Sequence, residues 1–370
     1  YLMLKSNPEV MNGLVKYLSK GWDKSSGEIN TQEELDVDTT GILYITKPLR
    51  ERKSMNKEVD VIPLPLLKKQ AALFTDDIRR LLIYKDKLPR AVFIDYLRIL
   101  CGLHLTLYTM KVVYLLPKMI EAGSREVEDD WSMVVDVTDN LDSIVAPYAC
   151  KDIERMENSY GKYIRATYMI DIIQDRKSCS VDEALRILKE DNDKQGEYYE
   201  VKLKDIENNL PNSDEKEFDK NDFREMLEFF PENDYFDMFV HVLEKSNLGA
   251  SQYRYLREFI DAVSMKNSSS MLMADSRSKR HPRRGALGSK LLETMVQLLV
   301  LKEKPNGGYE TRSLSIDELA SAIRERYGLI INGIEDERFA DAELRQIGFY
   351  TDMSDACILQ KIRPRYKLED

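Results

Sequence analysis

The chain has 370 residues, 43% of them hydrophobic and 32% charged, and 55 Lys and Arg against 65 Asp and Glu give a formal net charge of −10. That length fits two or three domains of roughly 100–200 residues each, and the acidic balance excludes nucleic-acid binding over the whole surface, because duplex affinity rests on neutralising phosphates. Cys101, Cys150, Cys179 and Cys357, like His104, His241 and His281, stand apart with no CxxC pair, which argues against a disulfide framework or a zinc site; with 15 Met and no secretory leader, a reducing cytoplasm is expected.

Residues 1–60 read as a mixed α/β subdomain: a short helix at Val10–Leu18, a helix start at Thr31–Leu35 and a strand at Gly41–Thr46. From Leu64 the pattern turns helical. Leu66, Leu67, Ala71, Phe74, Ile78, Leu81 and Leu82 recur at three-to-four spacing and make one apolar face, which Pro89 ends. The run Ala91–Leu116 is the most hydrophobic in the chain and stops before Pro117. It is long enough to span a bilayer, but Asp95, Arg98, His104 and Lys111 interrupt it, and charge is costly in lipid; it is read as a buried core helix, with no membrane partner. An acidic stretch, Glu126–Leu141, and a break at Pro147 precede a helix at Glu154–Gln174. Ser180 and Glu183 form a capping box that opens another. Residues 61–189 are thus expected to be a helical core domain.

Glu190–Lys220 holds eleven acidic and five basic residues with Pro211 inside, so 190–221 reads as an acidic linker or exposed insertion. A helical segment, 222–275, follows, with Asp222 as a helix cap, a break at Pro231, helices at Tyr235–Lys245 and Gln252–Met265, and a joint at Asn267–Ser270.

Residues 276–370 read as a winged-helix-like α+β module. Helix one spans Ser289–Lys302, Pro305–Gly308 is a turn, and Tyr309–Leu314 is a short strand. Ser315 and Glu318 form a capping box for helix two, with Ile316, Leu319, Ala320, Ile323 and Tyr327 on its apolar face and Gly328 as C-cap. Helix three is expected over about 336–347, and the wing over Phe349–Tyr366 with a strand at Cys357–Ile362. Helix three is acidic, with Glu335, Asp336, Glu337, Asp341 and Glu343 against Arg338 and Arg345, which disfavours insertion in a major groove and favours protein docking. Positive charge sits at the edges: Arg277, Lys279, Arg280, Arg283, Arg284 and Lys290 before helix one, Arg363 and Arg365 after the last strand. Such a run can clamp a phosphate backbone; a solvated loop or a contact with an acidic partner explains it equally well.

No GxxxxGK[ST], GxGxxG, GxSxG or HExxH pattern is present. Glu200-Val201-Lys202 matches part of a metal-dependent nuclease core, in which carboxylates hold Mg2+, but Asp214-Glu215-Lys216 fits as well. The acids Glu126, Glu128, Asp129, Asp130, Asp136 and Asp139 lack EF-hand spacing and read as a solvated face. His104 and His241 read as hydrogen-bonded core histidines.

The helix Pro89–Leu116, together with Leu291–Leu298 (LLETMVQL), Glu325–Gly328 (ERYG), Ile347–Ala356 and Ile362–Tyr366 (IRPRY), resembles accessory proteins of prokaryotic anti-phage operons of the methylation-associated defence kind. The resemblance implies a non-catalytic partner of a larger DNA-targeting machine and supplies no catalytic residues. The expectation is therefore a mainly α, multidomain helical protein with a C-terminal winged-helix-like module. It acts as an interaction or scaffold subunit alongside other defence proteins, with no cofactor. Direct DNA binding through the basic edges is the alternative, and a metal-dependent nuclease a third.

Overall fold

The computed structural model of the chain describes residues 7–22, 29, 35, 37, 39–41, 43–44, 65–137, 144–190, 197–211, 219–246, 249–264, 273–274, 283–331 and 361–368. Helices dominate. They are α1 (Pro8–Leu18), α2 (Lys68–Ile83), α3 (Arg90–Ala122), α4 (Ala146–Asn158), α5 (Tyr160–Lys177), α6 (Val181–Glu190), α7 (Glu197–Asn209), α8 (Lys220–Leu227), α9 (Tyr235–Ser246), α10 (Gly249–Val263), α11 (Ser289–Leu299) and α12 (Ile316–Tyr327). The strands are short: β1 (Met133–Val134), β2 (Met273–Ala274), β3 (Arg284–Gly285), β4 (Leu301–Glu303), β5 (Tyr309–Thr311) and β6 (Leu329–Ile330). The chain divides into two units, one of residues 1–108, 132–153 and 261–370, the other of 109–131 and 154–260. These units cut across the consecutive blocks expected from sequence: the amino-terminal helices and the carboxy-terminal module share the first.

In the first unit, Val10, Leu14, Phe74, Ile78, Leu81, Tyr84, Phe93, Tyr96, Leu100, Leu298 and Leu301 form one buried cluster. The apolar faces of α1, α2 and α11 supply it, as their periodicity requires, together with the start of α3 and Leu301 of β4. The Asn7 side chain accepts from the Val10 amide and caps α1. Beside the helices, β1 pairs in parallel with β6, and Asp136 bridges Ala286 next to the antiparallel β2–β3 pair. Gly285 permits that approach: a Cβ there would lie 2.9 Å from the Val134 carbonyl oxygen.

In the second unit, Leu203, Phe223 and Val242 gather Ile206, Met226, Tyr235 and Phe239 around them. Tyr199 stacks edge-on to Phe236 at 5.1 Å between ring centroids.

Several elements differ from expectation. Val37, Thr39, Thr40, Gly41, Leu43 and Tyr44 are helical, where a strand was expected at Gly41–Thr46; Leu43 is fully buried, and its apolar run serves a helix as well as a strand. The long helix continues through Pro117 to Ala122, 33 residues or about 50 Å. It is the only described helix long and apolar enough to cross a membrane, and 67% of its most apolar window is buried. Each ionisable residue that interrupts it has a partner: Asp95 with Arg98 and Lys290, His104 with Asp77, and Lys111 with Asp129 at 2.8 Å. The stretch expected as a linker carries α7, because Tyr199 and Leu203 bury against the second core. Asp219, not Asp222, caps α8; Asp222 is the reciprocal partner of its capping box.

In the carboxy-terminal segment, helix one ends at Leu299 and not at Lys302, which lies in β4. An antiparallel hairpin, β4–β5, follows, turned by Gly307 and Gly308 at φ 84° and 85°. Then come α12, with both halves of the Ser315–Glu318 capping box and Gly328 left-handed at its end, and β6. Helix three and the wing up to residue 360 lie outside the described residues, so the described residues give helix, hairpin, helix and strand without completing a winged helix.

Candidate functional site

The most concentrated polar chemistry in the described residues lies inside the first unit, around Asp77. Gln70, Phe74, Asp77 and Leu81 fall at positions 0, 4, 7 and 11 of one stripe of α2, and all are buried. Two polar residues therefore enter the core on an otherwise apolar face, and burial of a charge demands partners.

Asp77 is fully buried. Its Oδ2 accepts from Tyr327 Oη at 2.9 Å and faces His104 Nε2 at 2.8 Å, while Oδ1 accepts from Arg326 Nε at 2.9 Å and from the same guanidinium's Nη2 at 2.5 Å. Gln70 Nε2 lies 3.0 Å from His104 Nδ1. With the amide donating, the ring proton sits on Nε2 and is donated to Asp77. Phe74 and Tyr327 enclose the imidazole, with ring centroids 5.0 and 6.1 Å away.

Asp76 extends the cluster outward. It accepts from Arg326 at 2.6 Å, from Arg80 at 3.0 Å and from Arg79 at 3.0 Å. Arg80 also donates to the Leu298 and Leu301 carbonyls at the end of α11, a cation where a helix leaves orphan acceptors.

The charges settle accordingly. Burial alone would raise the Asp77 and Asp76 carboxyls, but the His104 hydrogen bond to Asp77 and the hydrogen bonds and charge of Arg326 and Arg80 outweigh it and hold both below the ordinary carboxylate range. Burial and the adjacent Asp77 charge push the Tyr327 phenol well up. Burial likewise lifts Tyr84 to about 12, although it donates to the Gln297 carbonyl. A carboxylate filled by donors on both oxygens is neither a free base nor a nucleophile. The cluster's chemistry is to join α2, α3 and α12.

A second polar group clasps the tail. Glu293 Oε1 accepts from Tyr96 Oη at 2.6 Å and from Arg365 at 2.7 Å. One turn on, Gln297 donates to the Tyr366 carbonyl at 2.9 Å and accepts from its amide at 3.2 Å.

The residues expected to contact nucleic acid are dispersed. Arg277, Lys279 and Arg280 lie outside the described residues. Arg283 and Arg284 are buried, at 8% and 6% exposure; Arg283 pairs with Asp261, and Arg284 lies 3.5 Å from Asp136. Lys290 is half-exposed and meets Asp95 at 3.2 Å. Arg365 pairs with Glu293, and Arg363 is exposed. Glu200 and Lys202 lie on helix α7, where Glu200 pairs with Lys204 at 2.5 Å. Of the acids from 126 to 139, Asp129 and Asp130 pair with Lys111 and Lys118. No group of three or more His, Cys, Asp or Glu among the described residues is placed to hold a metal ion. His241 lies against Phe230 at 5.2 Å, and burial lowers its pKa.

Asp76, Asp77, Arg326 and Glu293 were not singled out from the sequence. The available signal was the 0, 4, 7, 11 spacing that puts Gln70 and Asp77 on an apolar stripe.

Fold and site together define a mainly helical protein whose concentrated polar groups, in the described residues, are engaged with one another. The chain belongs to the family described as methylation-associated defense system protein MAD7, whose model matches residues 1–366. No curated protein matches the chain. It is thus a defence-system protein of methylation-associated operons. Four of the five segments that carried the resemblance meet in space, Ile347–Ala356 lying outside the described residues: the long helix supplies Tyr96 and His104, ERYG supplies Arg326 and Tyr327, LLETMVQL supplies Glu293 and Gln297, and IRPRY supplies Arg365 and Tyr366.

Proposed function

We propose that this protein is a non-catalytic interaction subunit of a prokaryotic nucleic-acid-targeting defence complex, and that its carboxy-terminal module, read from sequence as winged-helix-like, docks on another subunit. The observation that carries this reading is the saturation of Asp77: a buried His–Asp pair, the commonest start of acid–base chemistry, is closed by Arg326, Tyr327 and Gln70. It braces the module against α2 and α3. Family membership supports partners encoded in the same operon. Purification of the tagged chain from its native host, with quantification of the proteins that accompany it, tests the reading. Operon-encoded proteins in fixed ratio support it; the chain eluting alone overturns it.

Direct DNA contact is the second reading, supported by exposed Arg363 and Lys367 on the tail and by the basic run Arg277, Lys279 and Arg280. Mobility shift against salt tests it. A steep salt slope lost in R280A together with R363A supports it, and no shift at low salt removes it.

A further inference from the structure

We propose that Asn306 is a site of spontaneous deamidation, at which the backbone nitrogen of Gly307 displaces the side-chain amide and leaves an aspartate or a β-linked isoaspartate at the tip of the β4–β5 hairpin. The site stands independently of the docking reading.

The hairpin tip presents the reacting atoms to water. Pro305 sits in a turn that closes through the Gly307 amide, which donates to the Lys304 carbonyl at 3.0 Å, and the Lys304 amide donates to the Gly308 carbonyl at 2.9 Å. Asn306 and Gly307 are both exposed, and the Asn306 side chain makes no hydrogen bond among the described residues. Gly307 has no Cβ to shield its nitrogen, and a Cβ built there would meet nothing within 4 Å, so the space beside it is open to water and to a dissolved base. One turn hydrogen bond restrains that nitrogen, in a hairpin of three residue pairs, and a tip of this kind opens at small cost.

The same dipeptide occurs in α1, where the structure opposes the reaction. Asn12 and Gly13 lie inside the helix Pro8–Leu18. Its hydrogen-bond ladder commits the Gly13 amide and fixes the backbone away from the ring-closing geometry. A Cβ at Gly13 would lie 3.3 Å from the Leu82 side chain, so this glycine is packed and not open. Asn332 and Gly333 lie outside the described residues.

The chemistry balances with water alone. A solvent base takes the Gly307 amide proton, and the nitrogen lone pair attacks Cγ of Asn306. The bond from Cγ to the side-chain nitrogen breaks, and ammonia leaves with a proton returned by solvent, closing a five-membered imide. Water then adds to one imide carbonyl. Cleavage at Cγ restores the backbone with aspartate at the position; cleavage at the backbone carbonyl carbon leaves the chain running through the side chain as isoaspartate. One water is consumed, one ammonia is released, and nothing is oxidised or reduced. Either product adds a carboxylate to a hairpin, residues 301–311, in which Lys302 and Lys304 balance Glu303 and Glu310.

The test is peptide mapping by mass spectrometry of the full wild-type chain, folded and in concentrated urea, during incubation at neutral pH and physiological temperature. In the folded chain Asn306 is expected to convert about tenfold or more faster than Asn12, to a pair of aspartyl and isoaspartyl peptides, and in urea the two rates converge. Conversion at Asn306 no faster than at Asn12 in the folded chain overturns the proposal. A difference of the same size that persists in urea also overturns it, because neighbouring residues and not the fold then set the rates. Asn306→Gln should abolish the mass change in its peptide and leave Asn12 as in wild type; a change that remains in that peptide places the reaction on another residue and overturns the assignment.

Discussion

Asp77 and Tyr327 stand 250 residues apart in the chain and 2.9 Å apart in space. With Arg326 and His104 this contact ties the helix before the long apolar helix to the carboxy-terminal module. Asp77→Asn removes the buried charge that Arg326, His104 and Tyr327 converge on, and breaking a buried pair on one side costs about 3–5 kcal/mol. Asp76→Asn, on a carboxylate 32% exposed, is expected to cost about 1 kcal/mol. Urea midpoints of the two variants measure the difference, and equal midpoints would refute it.

The same carboxylates set an acid limit. Their folded pKa values lie below the ordinary value of 3.8. The stabilisation they give is therefore complete above the unfolded-state pKa of about 4 and is lost as pH falls through the folded values. Wild-type stability should change little between about pH 7 and pH 5 on their account and drop below about pH 4, while D77N shows a shallower drop. Chemical denaturation at stepped pH reads both slopes.

Arg284 lies with Asp136 in the interior, the two side chains 7% and 0% exposed. Arg284→Ala should lower stability by about 3–5 kcal/mol, whereas Arg363→Ala, at an exposed position, should stay within about 0.5 kcal/mol of wild type. Thermal melts of the two variants decide whether these arginines are structural or superficial.

A Cβ added at Gly285 would lie 2.9 Å from the Val134 carbonyl oxygen, closer than side-chain carbons approach backbone oxygen. Gly285→Ala must push β1 from β3, and overpacking of this kind costs about 1–3 kcal/mol. A melting temperature equal to that of wild type would show that the strands yield freely.

Local chemistry was legible in the sequence. The capping box at Ser315 and Glu318, the left-handed Gly328, the Pro305–Gly308 turn and the helix near Val10–Leu18 were all read from side chains that act on their own backbone. So was His104 as a hydrogen-bonded core histidine. The long-range pieces were not. Strands of two residues, such as Met133–Val134 and Leu329–Ile330, are too short to show a period, and their pairing depends on segments nearly 200 positions apart. Asp77 sits in the charge-rich run Thr75-Asp76-Asp77-Ile78-Arg79-Arg80; only its place on the stripe of Gln70 and Phe74 marks it as buried. Arg283 and Arg284 looked like part of a basic loop because Asp261 and Asp136, which neutralise them, lie far off in sequence. The charge-rich 190–221 stretch hid Tyr199 and Leu203, whose spacing of four gives α7 its buried side.

The claim that this chain serves as a non-catalytic subunit is tested most directly by native mass measurement of the tagged protein purified from its host. A discrete complex is expected, in which the chain accompanies other proteins of its defence operon at fixed stoichiometry. A species of the chain's own 43.1 kDa, free of partners and cleaving DNA when Mg2+ is added, would contradict it.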